Sequence, residues 1–117
     1  MIRGIGIDIS DPRRFQGMEH SLLSRIFTER EISAAPVRSD EYFAARFAAK
    51  EAFAKAIGTG IRGFSLTEVE VSPDDDGRPF FIFHGRAEKL AAGLRFHLSM
   101  SHERNAAVAV VVAEHEE

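Results

Sequence analysis

The stretch from about Tyr42 to Ile57 constrains this chain more than any other. Alanines fill it, Ser39 or Asp40 can cap its start, and Gly58 stops it, so the spacing predicts one long helix. Phe43, Phe47 and Ala54 recur at helical spacing as a buried stripe. The remaining positions are small or apolar as well: Ala48, Ala49, Ala52, Phe53 and Ala56. A helix apolar nearly all round must be wrapped by the rest of the domain, which leaves its few charges in a cleft or an interface. Those charges form two strips. Glu51 and Lys55 stand at i,i+4, and Arg46 and Lys50 form a second strip with the same spacing. As a plain surface pair, Glu51 and Lys55 would contribute only about 0.2–0.5 kcal/mol; in a packed setting they are candidates for chemistry.

The rest of the chain supplies the wrapping. Ile5, Ile7 and Ile9 alternate with Gly4, Gly6 and Asp8, a period-2 strand with one apolar face and one face of bare glycines leading to a carboxylate. Pro12 ends it. Residues 13–33 suggest one or two short helices, with Thr28 as N-cap and Glu31 completing a capping box. Thr67–Val71 and Pro79–Phe83 alternate as strands around the Asp/Gly-rich turn Ser72–Arg78, which predicts a hairpin. Arg86–Leu94 reads as a short helix, and residues 96–101 as a strand followed by a turn at His102–Asn105. Ala106–Ala113 is apolar on both faces, as a central strand should be. The order predicts a single α+β domain over residues 1–117, with a mostly antiparallel or mixed sheet packed on one long helix.

Composition narrows the function classes. With 44% apolar and 28% charged residues the chain is ordinary globular material, and the absence of cysteine excludes disulfides and thiolate chemistry. The longest apolar run, Ala106–Ala113, is far short of a membrane span. The opening residues lack a signal-peptide layout, so a cytoplasmic protein is expected. A net charge of −3 argues against a general nucleic-acid binder, yet residues 1–63 carry ten Lys/Arg against eight Asp/Glu, and residues 64–117 five against ten. One face can therefore meet an anionic partner despite the acidic total.

Several motifs carry less than their letters suggest. Gly58–Gly63 matches GxGxxG but follows a helix where a dinucleotide fold needs a strand, so it reads as a helix stop and a turn. Asp74-Asp75-Asp76-Gly77 lacks the alternating ligands of a calcium loop and reads as a solvated turn. Ser99-Met100-Ser101-His102 has no nucleophile elbow, which leaves His102 as an anion ligand or turn residue. Asp8 is different: a carboxylate in a core-like strand, on the face that two glycines clear for something bulky.

Together these pieces resemble the holo-(acyl-carrier-protein) synthases. The opening Gly4-Ile5-Gly6-Ile7-Asp8-Ile9, the helix stretch Phe43–Gly60 (FAARFAAKEAFAKAIGTG), Phe64–Val71, Gly77-Arg78-Pro79 and Leu98-Ser99-Met100-Ser101-His102-Glu103 follow one another in that family's order. The resemblance implies a 4′-phosphopantetheinyl transferase fold. It also implies transfer of the phosphopantetheine arm of coenzyme A to a serine of apo-acyl carrier protein, releasing adenosine 3′,5′-bisphosphate, in fatty-acid or polyketide synthesis. Asp8 and Glu51 would hold one Mg²⁺, and Lys55 would reach the pyrophosphate; these three are the expected catalytic residues. Arg78 and His102 would bind the 3′-phosphate, Gly77 and Pro79 would shape the adenine pocket, and Arg46 would be a further phosphate contact. Either a water near Asp8 or Glu51 itself would take the serine proton. The acidic carrier would dock on Arg13 and Arg14, or on Arg25, and the subunits would form a homotrimer with sites between neighbours. The alternative reading is a trimeric module that binds coenzyme A or another nucleotide without transfer.

Overall fold

Helix α3, Asp40–Ile57, is the axis on which everything else is built. The computed structural model describes residues 1–60 and 63–116. Twelve of the eighteen residues of α3 are buried, as its all-round apolar sequence demands, and Gly58 ends it in the left-handed conformation at φ 79°. Ser39 is the N-cap by position, although its side chain makes no capping bond. Of the predicted Gly58–Gly63 turn, residues 61 and 62 lie outside the described residues.

Strands β1 (Ile2–Ser10), β4 (Leu94–Glu103) and β5 (Ala106–His115) form an antiparallel sheet in the order β1-β5-β4, with the apolar β5 in the centre as expected. Strands β2 (Val69–Pro73) and β3 (Pro79–Phe83) form the predicted hairpin. Its tip is organised by Asp74, whose Oδ1 accepts from the backbone N–H groups of Asp76 and Arg78 at 2.8 and 2.9 Å. Short helices α1 (His20–Leu23), α2 (Glu29–Ser33) and α4 (Gly85–Ala91) close the ends. The capping box at Thr28 and Glu31 is present. Strand β4 runs two residues further than the sequence suggested, so His102 belongs to the strand and the turn tightens to Arg104 and Asn105.

Three clusters make the core along α3. Phe15, Phe27, Phe43 and Phe47 pack at one end. Ala48, Ala49, Ala52 and Ala56 meet Ala109, Val111 and Ala113 of β5 in the middle. Phe53 anchors the other end among Phe64, Phe81, Phe83 and Phe96. In the middle the helix and the sheet approach backbone to backbone. A Cβ on Gly4 or Gly6 would overlap the carbonyl oxygens of Ala56 and Ala52 respectively. The bulky object for which the two glycines clear the face is thus α3 itself.

The isoleucine face departs from expectation. Ile5, Ile7 and Ile9 are 62%, 60% and 70% exposed, not core. Once α3 occupies the glycine face, nothing among the described residues covers the other side. Register places Ile5 beside Val112, Ile7 beside Val110 and Ile9 beside Val108, so two strands present a contiguous β-branched surface. Next to it β4 contributes His97, Ser99 and Ser101.

Candidate active site

Asp8 lies on the helix-facing side of β1, two residues beyond the Gly6 contact, so the close approach that needs glycine also brings its carboxylate against α3. Lys55 reaches across from the helix: its Nζ donates to the Ile7 carbonyl at 2.8 Å and to Asp8 Oδ1 at 3.1 Å. Asp8 is largely shielded, with 18% of its side chain exposed, whereas Lys55 is half-exposed. An ammonium has three protons; the third proton of Lys55 has no acceptor among the described residues and can serve a ligand.

Glu51, one turn before Lys55, completes the group. Partial burial, and then the negative charge of Asp8, push its carboxyl above the usual carboxylate range, while Lys55 and Arg14 act against that rise. The two carboxylates therefore sense each other. A divalent cation between them would relieve that repulsion, and a hard oxygen pair with remaining positions left to water and substrate suits magnesium. Arg14 sits at the rim, its guanidinium 4.5 Å over the Phe47 ring.

The second charged strip of α3 faces a different neighbourhood. Lys50 is fully buried and donates to Glu31 Oε1 at 2.8 Å and to the carbonyls of Leu66 and Val69 at 3.0 and 2.7 Å. Arg46 lies 3.7 Å over the Tyr42 ring, and its buried Nε has no hydrogen-bond partner among the described residues. Neither residue makes a hydrogen bond or ion pair with Asp8. Arg46 stands about 140° around the helix from Glu51, at 100° per residue.

The remaining predicted residues are spread over the surface. Arg13 is exposed and held by Asp11 at 2.7 Å, and Arg25 is exposed at the end of α1. Gly77, Arg78 and Pro79 occupy the hairpin tip, where Gly77 takes φ 84°. His102 pairs through Nδ1 with Glu41 Oε1 at 2.7 Å. Glu41 is in the first turn of α3, and ten residues separate it from Glu51, about 15 Å along the axis. Asp8, Glu51 and Lys55 thus converge in one chain, whereas His102 and Arg78 make no hydrogen bond to them. Sequence reasoning missed Glu41, the Tyr42–Arg46 stack and the burial of Lys50; each depends on contacts between distant segments for which spacing gives no signal.

Comparison with known proteins decides what this arrangement belongs to. Residues 4–111 match the family model of the 4′-phosphopantetheinyl transferase superfamily. The chain is 47% identical to the holo-[acyl-carrier-protein] synthase of Koribacter versatilis, over 97% of this chain and 99% of that one. It is 42% identical to that of Halothermothrix orenii, over 97% and 98%. The chain belongs to the holo-(acyl-carrier-protein) synthases. Among solved members of this family, the Neisseria meningitidis enzyme matches with a TM-score of 0.88 at 40% identity, over 97% of this chain and 99% of that one. The Bacillus anthracis enzyme, solved in complex with CoA (3′,5′-ADP), matches with a TM-score of 0.83 at 41% identity, over 99% of both chains. The synthase fold is therefore the α+β arrangement described above.

Proposed function

We propose that the chain transfers the 4′-phosphopantetheine arm of coenzyme A to a serine of apo-acyl carrier protein, releasing adenosine 3′,5′-bisphosphate. The observation that carries this is the convergence of Asp8, Glu51 and Lys55 at the β1–α3 contact. In the reaction the serine Oγ bonds to the phosphorus bearing the pantetheine arm, and the bond from that phosphorus to the bridging oxygen breaks. The adenosine bisphosphate leaves with the bonding electrons. Asp8 and Glu51 would hold Mg²⁺, which supplies charge neutralisation on the pyrophosphate oxygens. The free proton of Lys55 steadies the negative charge gathering on the leaving phosphate. The serine proton goes to Glu51 itself or to a water held near Asp8.

Recognition draws on the outlying residues. His102 and Arg78 would bind the 3′-phosphate, with Gly77 and Pro79 shaping the adenine pocket, and the Arg46 guanidinium would be a further phosphate contact. That His102 and Arg78 make no hydrogen bond to Asp8, Glu51 or Lys55 supports a site completed by a neighbouring copy. The uncovered Ile5, Ile7, Ile9, Val108, Val110 and Val112 surface supports the same homotrimer, since a contiguous apolar face of this kind marks an interface. Arg13 and Arg25 would receive an acidic carrier, a reading their exposure supports, and Arg14 would link that edge to Glu51. No helix among the described residues is long and apolar enough to cross a membrane, which is compatible with cytoplasmic work in fatty-acid synthesis.

The test is direct. Incubation with apo-carrier, coenzyme A and Mg²⁺, followed by mass spectrometry of the carrier, should show gain of the phosphopantetheine arm, and Glu51→Gln should abolish it. Coenzyme A binding without transfer to any carrier would replace this reading with a non-catalytic module.

A further inference from the structure

We propose that Glu41 is a positioning residue for recognition of the coenzyme A 3′-phosphate, acting through His102. This rests on the role given to His102 above and adds a residue that the sequence pattern does not single out.

The geometry is specific. Glu41 is in the first turn of an eighteen-residue helix, and His102 lies on β4 in register with Ala107 and Ser10, on the helix-facing side of the sheet. The carboxylate Oε1 is 2.7 Å from Nδ1 of the imidazole, with the two side chains 41% and 51% exposed. A half-exposed histidine at the end of a strand would ordinarily rotate freely; here a carboxylate on a packed helix fixes the ring. The opposite nitrogen, Nε2, has no hydrogen-bond partner among the described residues. It faces away from Glu41 by the shape of the ring, so the anchored edge and the free edge are set by the same contact.

The chemistry follows from what an imidazole can carry. A ring that donates from Nε2 to a phosphate oxygen and from Nδ1 to a carboxylate holds both protons and one positive charge. The two anions lie on opposite edges, so the cation separates them. Without Glu41 the ring must bind the phosphate unanchored, with no acceptor for its second N–H. The benefit appears only when a phosphate occupies the Nε2 side. Glu41 therefore sharpens the preference for coenzyme A over 3′-dephospho-coenzyme A, and does not strengthen nucleotide binding in general.

The two substrates make the test. Glu41→Gln keeps the length of the side chain and removes its charge. It should raise the ratio of KM for coenzyme A to KM for 3′-dephospho-coenzyme A about fivefold, the scale of one charge-assisted hydrogen bond at a half-exposed site. Calorimetry with adenosine 3′,5′-bisphosphate and adenosine 5′-phosphate as probes should show the same selective loss without reference to turnover. In a His102→Ala background the Glu41→Gln change should add nothing to that ratio. An equal loss for both nucleotides, with or without a lower melting temperature, would make Glu41 a helix-end residue only and overturn the proposal. So would an unchanged ratio in Glu41→Gln when His102→Ala raises it. If His102→Ala itself leaves the ratio untouched, the role of His102 fails and takes the Glu41 proposal with it.

Discussion

Replacing Lys50 with methionine tests the internal architecture most severely. The wild-type ammonium is fully buried, and all three of its protons are used: one on Glu31 and one each on the Leu66 and Val69 carbonyls. Glu31 is satisfied in turn, Oε1 by Lys50 and the Thr28 N–H at 2.9 Å, and Oε2 by the Val71 N–H at 3.0 Å. Lys50→Met retains most of the volume but leaves an uncompensated carboxylate and two carbonyls short of a donor. Removing one partner of a buried pair costs about 3–5 kcal/mol, which for a domain of this size lowers Tm by about 12–20 °C. Restoring neutrality with Glu31→Gln in the same chain should recover at least about 1 kcal/mol, because the stranded charge is the largest part of the penalty. Urea unfolding followed by circular dichroism, at fixed protein concentration so that association does not shift the midpoint, gives both numbers. A single variant within 1 kcal/mol of wild type would refute the reasoning, and so would a double variant no more stable than Lys50→Met.

Four further outcomes follow from the structure. Gly6→Ala should destabilise by about 3 kcal/mol, the upper end of overpacking costs, since its Cβ would meet the Ala52 carbonyl and the Ala56 nitrogen and no movable side chain; urea unfolding measures it. Glu51→Gln should be more stable than wild type at pH 8. The folded-state carboxyl is lifted above its ordinary value, so the wild type gains stability as pH falls through that raised value, and the difference in melting temperature should close on acidification. Ile7→Asp on the open sheet face should leave the monomer fold intact and lower the mass in solution at micromolar concentration by light scattering. Arg14→Glu should raise KM for the carrier while coenzyme A binding measured by calorimetry holds.

Much of the fold was legible because the signals that set it are local. The alanine- and phenylalanine-rich stretch before Gly58 could only be a surrounded helix, and the alternation around the Asp74–Gly77 turn could only be a hairpin. Asp8, Glu51 and Lys55 were legible as a set, two of them by helical spacing and all three by family resemblance. The other relations were set by partners that lie far away in sequence. Thr28-x-x-Glu31 announces a capping box, and nothing in those four residues says that the glutamate also neutralises a lysine nineteen positions later. Lys50 reads only as one of the charges left in a cleft or an interface for the same reason, since its acceptors come from α2, from Leu66 and from the first residue of β2. The Glu41–His102 contact joins residues sixty-one positions apart.

The isoleucine strand shows how one misreading and one success share a cause. Period-2 alternation establishes that a strand has two different faces; it does not say which face the chain itself will cover. Glycine decides that here. Only the face without Cβ atoms can accept the backbone of α3, and once the helix sits there the isoleucines are turned outward. The same contact that brings Asp8 to Lys55 thus creates the surface on which a second copy can pack. On the proposed reading, catalytic geometry and assembly would both follow from a single β1–α3 approach, so a substitution at Gly6 should weaken both together. Ile7→Asp, which acts on the outer face alone, should disturb assembly while the contact between Asp8 and Lys55 survives.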